Sequence, residues 1–62
     1  MNYAMTVARS LKREFIENSW FAECNGDTVE IYEDQESPVG LLVIIHCESK
    51  AAAHHVRRAL QP

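Results

Sequence analysis

The segment at residues 20–33 has the sequence WFAECNGDTVEIYE, which places Asn25-Gly26 between two runs of strand-forming residues. This dipeptide is the strongest short signal for a β-hairpin, because a type I′ turn requires positive φ at both of its central residues. With Asn25 and Gly26 as the central residues, the expected cross-strand pairs are Cys24–Asp27, Ala22–Val29 and Trp20–Ile31.

This register gives each face of the hairpin a distinct character, since side chains alternate between the two faces along a strand. The first face is apolar and consists of Trp20, Ala22, Val29 and Ile31. The second face is mixed and consists of Phe21, Glu23, Thr28, Glu30 and Tyr32. We therefore expect the apolar face to pack against the core, with Phe21 and Tyr32 as diagonal neighbours on the outer face.

A third strand is predicted at residues 39–47, after a polar loop at residues 33–38. Its residues form two alternating sets, which are Leu41, Val43, Ile45 and Cys47 on one side and Leu42, Ile44 and His46 on the other. An antiparallel sheet with one solvated face normally alternates apolar with polar residues. This strand is apolar on both sides, so the pattern leaves open which set faces inward and indicates that both faces are covered.

Two amphipathic helices are predicted on either side of the strands. Residues 3–17 carry apolar side chains at helical spacing, namely Ala4, Val7, Ala8, Leu11 and Phe15. Asn2 is the expected N-cap, and Asn18 with Ser19 is the expected end, because Asn tolerates the left-handed conformation. The second helix is predicted from the cap Ser49 to Leu60, with the apolar stripe Ala52, Ala53, Val56, Ala59 and Leu60.

The sequence thus predicts a single α+β domain, residues 1–62, with the order αβββα. Both helices are expected on one face of a three-stranded antiparallel meander. This order resembles that of the double-stranded-RNA-binding domain and of the small HicA-type toxin ribonucleases. The resemblance implies RNA contacts through the start of the second helix and the first hairpin loop. At those positions this chain has Ser49-Lys50 and Asn25-Gly26-Asp27.

With both helices on one side, the opposite face of the sheet has no cover from this chain. We expect that face to bind another protein, either a second copy or a larger protein. The expected partner-binding residues are Phe21, Glu23, Glu30, Tyr32, Leu42 and Ile44. The predicted function is a small non-enzymatic protein-interaction module, such as a phage or mobile-element accessory or regulatory protein.

Charge is segregated along the chain, whose formal net charge is −3. The six basic residues all fall in the predicted helices: Arg9, Lys12, Arg13, Lys50, Arg57 and Arg58. The segment at residues 20–48 contains acidic residues and no basic ones. The alternative function is therefore nucleic-acid binding through the basic helical face, with an affinity that falls steeply with salt. The simpler interpretation is a solvated helix surface.

The cysteines and histidines lack the close spacing of a zinc site, such as C-x₂-C or H-x₃-H. His46 and Cys47 are adjacent on a strand, and His54 and His55 are adjacent on a helix, so each pair diverges. We expect no metal, no cofactor and no enzymatic activity. Cys24 should lie about 10 Å from Cys47, on the far side of the central strand, which is too far for a disulfide.

The sequence also favours a cytoplasmic location. Its longest apolar run, residues 41–45, is far shorter than the roughly 20 residues that span a membrane. The first residues, MNYAM, lack the charged start and apolar stretch of a signal peptide. Free thiols suit a reducing compartment, and we expect no association with membranes.

Overall fold

The computed structural model describes residues 3–34 and 40–61. The chain forms α1 (Tyr3–Glu17), β1 (Phe21–Asn25), β2 (Thr28–Tyr32), β3 (Leu41–His46) and α2 (Lys50–Leu60). The strands form one antiparallel sheet in the order β1-β2-β3. The predicted αβββα order and meander are confirmed. The predicted cap Asn2, the predicted strand residue Val39 and most of the predicted polar loop lie outside the described residues.

The core lies between one face of the sheet and the two helices. α2 contacts β1 and β2, while α1 contacts β3 and packs along α2. Both helices therefore cover the same face, as predicted. The buried residues of the sheet are Ala22, Val29, Ile31 and Ile45. The helices contribute Ala4, Met5, Ala8, Phe15, Ala53, Val56 and Leu60.

The structure resolves which side of β3 faces inward. Ile45 is buried, and Val43 is half-buried against the core. Leu42 and Ile44 are exposed. The odd-numbered set therefore packs under the helices from Val43 onward, and the even-numbered set points away from them.

The predicted register of the hairpin is wrong by two positions. Ala22 pairs with Ile31 instead of Val29, so the central residues of the turn are Gly26 and Asp27. Gly26 has φ of +61°, and neither neighbour has a positive φ. A type II′ turn requires Gly at its first central position, whereas a type I′ turn requires positive φ at both. Because side chains alternate with a period of two, this shift leaves every side chain on its predicted face.

α1 ends in a Schellman motif built around Ser19, which has φ of +54°. The N–H of Trp20 donates to the carbonyl of Phe15 at 3.0 Å, and the N–H of Ser19 donates to the carbonyl of Ile16 at 3.2 Å. These are the two hydrogen bonds that define the motif, and they satisfy carbonyls that the end of a helix leaves unpaired. The helix thus ends where the sequence predicts.

The residues that flank Ser19 differ from the prediction in detail. Asn18, which was expected to tolerate the left-handed conformation, instead donates from Nδ2 to the carbonyl of Glu14 at 2.9 Å. Trp20 precedes β1 instead of opening it, and its half-buried side chain packs against the core. Trp20 is therefore a core residue, as predicted, although the strand begins at Phe21.

α2 begins at its predicted cap. The Oγ of Ser49 accepts the N–H of Ala52 at 3.0 Å, which satisfies one of the unpaired donors at the start of the helix. Near the other end, Nε of Arg57 donates to the carbonyl of Ala22 at 3.1 Å and ties the helix to β1. Neither α1 nor α2, as the structure describes them, has the length and apolar composition that crossing a membrane requires.

Candidate protein-interaction face

The sheet face opposite the helices is arranged in three rows of cross-strand neighbours. The first row is Phe21, Tyr32 and Leu41, the second is Glu23, Glu30 and Ile44, and the third is Asn25, Thr28 and His46. Leu42 lies beside the first row at a register shift, where it has no partner on β2. We call these ten residues the open face, because the described helices contact the sheet from the other side.

Apolar side chains dominate one end of the open face. Leu41 is 48% exposed and Leu42 is 41% exposed, and Ile44 in the adjoining middle row is 43% exposed. Phe21 and Tyr32 are half-buried, since they are direct cross-strand partners and not the diagonal neighbours that the sequence predicted. Direct partners lie close enough for their side chains to shield each other. The apolar end is therefore formed by two paired rings beside exposed aliphatic groups.

Two carboxylates lie opposite each other in the middle row. Glu23 and Glu30 are direct cross-strand partners, an arrangement that destabilises a sheet because like charges repel. Glu30 accepts the hydroxyl of Tyr32 at 2.8 Å and Nδ2 of Asn25 at 3.3 Å, which fixes its position. The side chain of Glu23 is exposed. The fold thus holds negative charge at the centre of the open face.

The hydroxyl of Tyr32 is part of this arrangement. Its hydrogen bond to Glu30 raises the pKa of Tyr32 above the ordinary value of 10.0. Desolvation and the negative charges of Glu30 and Glu23 raise the pKa further. The phenol therefore stays neutral at physiological pH and keeps its proton for the hydrogen bond.

All six residues that the sequence predicts as partner-binding lie together on the open face. Sequence reasoning did not include Leu41 among the partner-binding residues, because it grouped Leu41 on one side of β3 with Val43, Ile45 and Cys47. Leu41 pairs with Tyr32, and Val43 pairs with Ile31, so one extra residue stands between them on β3. This register shift exposes Leu41 to 48%, and no sequence signal at residues 41–43 indicates it.

The basic residues proposed for nucleic-acid binding lie on the helices, away from the open face. Nε of Arg13 lies 3.2 Å from Oε1 of Glu17, and Arg57 is half-buried with its hydrogen bond to β1. Two of the six predicted residues are thus engaged within the chain. The others are exposed or half-buried on the helix surfaces: Arg9, Lys12, Lys50 and Arg58.

Cys24 and Cys47 are free thiols that pack, half-buried, against the core. Burial raises the pKa of Cys47, and the nearby Cys24 and Asp27 raise it further. A raised pKa leaves little of the reactive thiolate at neutral pH. Across residues 3–34 and 40–61, no three His, Cys, Asp or Glu side chains are grouped so that they could hold a metal ion.

A groove of about 180 Å³ runs along the outer edge of β3. It is lined by Tyr3 and Val7 of α1 and by Ile44, Ile45 and His46 of β3. Its volume is below the roughly 300 to 1,000 Å³ of typical small-molecule sites. The groove is therefore smaller than the pockets that usually hold a small ligand.

Comparisons with known proteins give no assignment of function. The chain matches no family model, no curated protein and no solved structure. The resemblance to RNA-binding domains is accordingly carried by the order of the elements alone.

Proposed function

We propose that this protein is a non-enzymatic interaction module that docks on a larger protein through the open face. The observation that supports the proposal is the asymmetry of the sheet, which has both helices on one side and exposed apolar groups on the other. An antiparallel sheet can leave one face in water, but such a face is normally polar. Exposed apolar patches on small proteins commonly mark sites of protein contact.

The charge of the open face favours a cationic partner. A Lys or Arg side chain placed between Glu23 and Glu30 would replace one repulsion with two attractions. A nucleic acid would present its anionic backbone to the same carboxylates. A second copy stacked face to face would oppose one acidic row with another, which costs free energy. The open face therefore suits a different, basic protein surface better than its own copy.

The dimensions of the open face fit one α-helix. Three strands span about 10 Å between the axes of the outer two, and a helix with its side chains is about 10 to 12 Å wide. The row of Phe21 and the row of Glu23 are two residues apart along β1, which is about 7 Å. A helix covers that distance in about four residues. The expected partner is a helix with a large apolar residue and a Lys or Arg about four positions away.

A displayed library of helical peptides, randomised along one face, tests this proposal. We expect selection against the wild-type protein to enrich peptides with that pairing of apolar and basic residues. Glu23→Lys should abolish their binding, because it places a positive charge opposite the basic side chain. The binding of the selected peptides should also weaken as salt is added, since exposed charge pairs are screened.

Glu14→Lys is the matched control, because it makes the same charge change at an exposed position of α1. The peptides should bind this variant as they bind the wild type. Enrichment of peptides without basic residues, or equal loss of binding in both variants, would count against the open face as the docking surface.

A further inference from the structure

The two outer edges of the sheet differ in how well they are protected from pairing with a strand of another chain. At β1, Arg57 hydrogen-bonds to the carbonyl of Ala22, and the exposed Glu23 lies beside it. β3 has the sequence LLVIIH, with no charged residue and no proline. No other strand in the described part of the chain pairs with its outer side. Proteins normally protect sheet edges with charge, proline or a covering element, and residues 41–46 of β3 supply neither charge nor proline.

The register identifies the backbone groups that face outward on β3. Along an antiparallel strand, residues alternate between those bonded to the neighbouring strand and those whose N–H and C=O point away from it. The N–H of Cys47 donates to the carbonyl of Asp27 at 2.9 Å, so Cys47 faces β2. By alternation Ile45 also faces β2, and Ile44 and His46 present their backbone groups to the outside.

Exposed apolar side chains gather at the same edge. Among the residues that the structure describes, five large hydrophobic side chains are exposed, and all but Ile16 lie on β3 or beside it: Tyr3, Leu41, Leu42 and Ile44. Tyr3 is 74% exposed and forms one wall of the groove along β3. A strand placed against β3 would fill this groove and cover Tyr3.

We propose that β3 pairs antiparallel with β3 of a second copy, about a two-fold axis at Ile44, to form a six-stranded sheet. At the axis, the two Ile44 residues exchange a pair of N–H···O hydrogen bonds. Leu42 of each copy then lies opposite His46 of the other, and the outward backbone groups of Ile44 meet those of its twin. This self-matching is the requirement of a symmetric interface.

A second copy suits this edge for reasons of charge as well as geometry. β3 contributes no charged side chain, so the paired strands of two acidic chains bring no carboxylates of their own together at the axis. The open faces of the two copies would lie on the same side of the extended sheet and stay available. The dimer therefore goes beyond the proposed docking function and does not depend on it.

Ile44→Pro tests the backbone hydrogen bonds on which the proposed dimer depends. Proline removes an N–H that points outward, a position where edge strands tolerate it, so the monomer should keep its ladder to β2. In sedimentation experiments from micromolar to millimolar concentration, we expect the wild type to dimerise. Loss of two hydrogen bonds at the axis should weaken the dimer about 100-fold in the variant.

Two further variants make the outcome decisive. Ile44→Glu opposes two negative charges at the axis, each beside Glu30 of its own copy, and should also abolish the dimer; it serves if the proline variant fails to fold. Phe21→Ser lies on the open face but on β1, and it should dimerise like the wild type. A wild type that stays monomeric at millimolar concentration would overturn the proposal. So would a dimer that survives both Ile44 variants or is lost in Phe21→Ser.

Discussion

The hydrogen bond from Tyr32 to Glu30 gives the open face a measurable pH response. Because the folded state raises the pKa of Tyr32 above 10.0, it favours the neutral phenol. This contribution to stability is fully present below pH 10 and is lost as the pH rises through the pKa of the folded state. Glu30→Gln removes the charge and weakens the bond, so the pKa of Tyr32 should fall toward its ordinary value.

An absorbance titration measures this change in a Tyr3→Phe background, because the chain has two tyrosines. Glu23→Gln is the control, and its effect should be smaller, since Glu23 acts on Tyr32 through charge alone and is the weakest cause. An unchanged pKa in Glu30→Gln would mean that the hydroxyl does not donate to this carboxylate.

The six residues predicted for partner binding could be grouped from sequence because alternation along a strand is strict. That logic holds for β1 and β2, where a wrong register still left every side chain on its predicted face. It fails at Leu41, because one extra residue on β3 reverses the alternation before Val43. The interaction of Tyr32 with Glu30 also required coordinates, since a hydrogen bond between residues two apart depends on side-chain rotamers.

The conformation at the end of α1 predicts that one substitution will make the folded protein more stable. Ser19 occupies the left-handed region at φ of +54°, where a side chain with a Cβ atom is strained and Gly is not. Ser19→Gly should therefore raise the free energy of unfolding by about 0.5 to 1 kcal/mol. Urea denaturation measures this change.

Ser10→Gly is the matched control, because Ser10 lies exposed in the middle of the same helix. Glycine there should lower stability by roughly 0.5 kcal/mol, since it is a poorer helix former than serine. If both substitutions lower stability, Ser19 does not hold the conformation described here.

The existence and order of all five elements were predictable from the spacing of the apolar residues. That spacing is helical in the first segment, alternating in the middle of the chain and helical again at the end. The turn type of the hairpin was not. Asn25-Gly26 and Gly26-Asp27 both satisfy the chemistry of a two-residue turn, the first as type I′ and the second as type II′. Both turns place the same side chains on each face of the hairpin, so the alternation of apolar and polar residues does not distinguish them.

The covering of one sheet face by two helices leaves an asymmetric domain. A chain of 62 residues has limited surface to bury, and four of the eleven buried hydrophobic residues in its described part are alanines, among them Ala8, Ala22 and Ala53. The apolar character of both sides of β3 was evident from sequence and predicted an exposed apolar face. The partners proposed for that face and for the adjoining edge were inferred from geometry and charge that only the folded chain displays.

Solvent paramagnetic relaxation of methyl groups, measured by NMR on a dilute sample with a soluble nitroxide, tests most directly whether the open face is uncovered. The methyl signals of Leu42 should broaden strongly as nitroxide is added, because this side chain is 41% exposed, while those of the fully buried Ile31 should not change. Equal protection of Leu42 and Ile31 would contradict the structure of the open face and remove the basis for docking there.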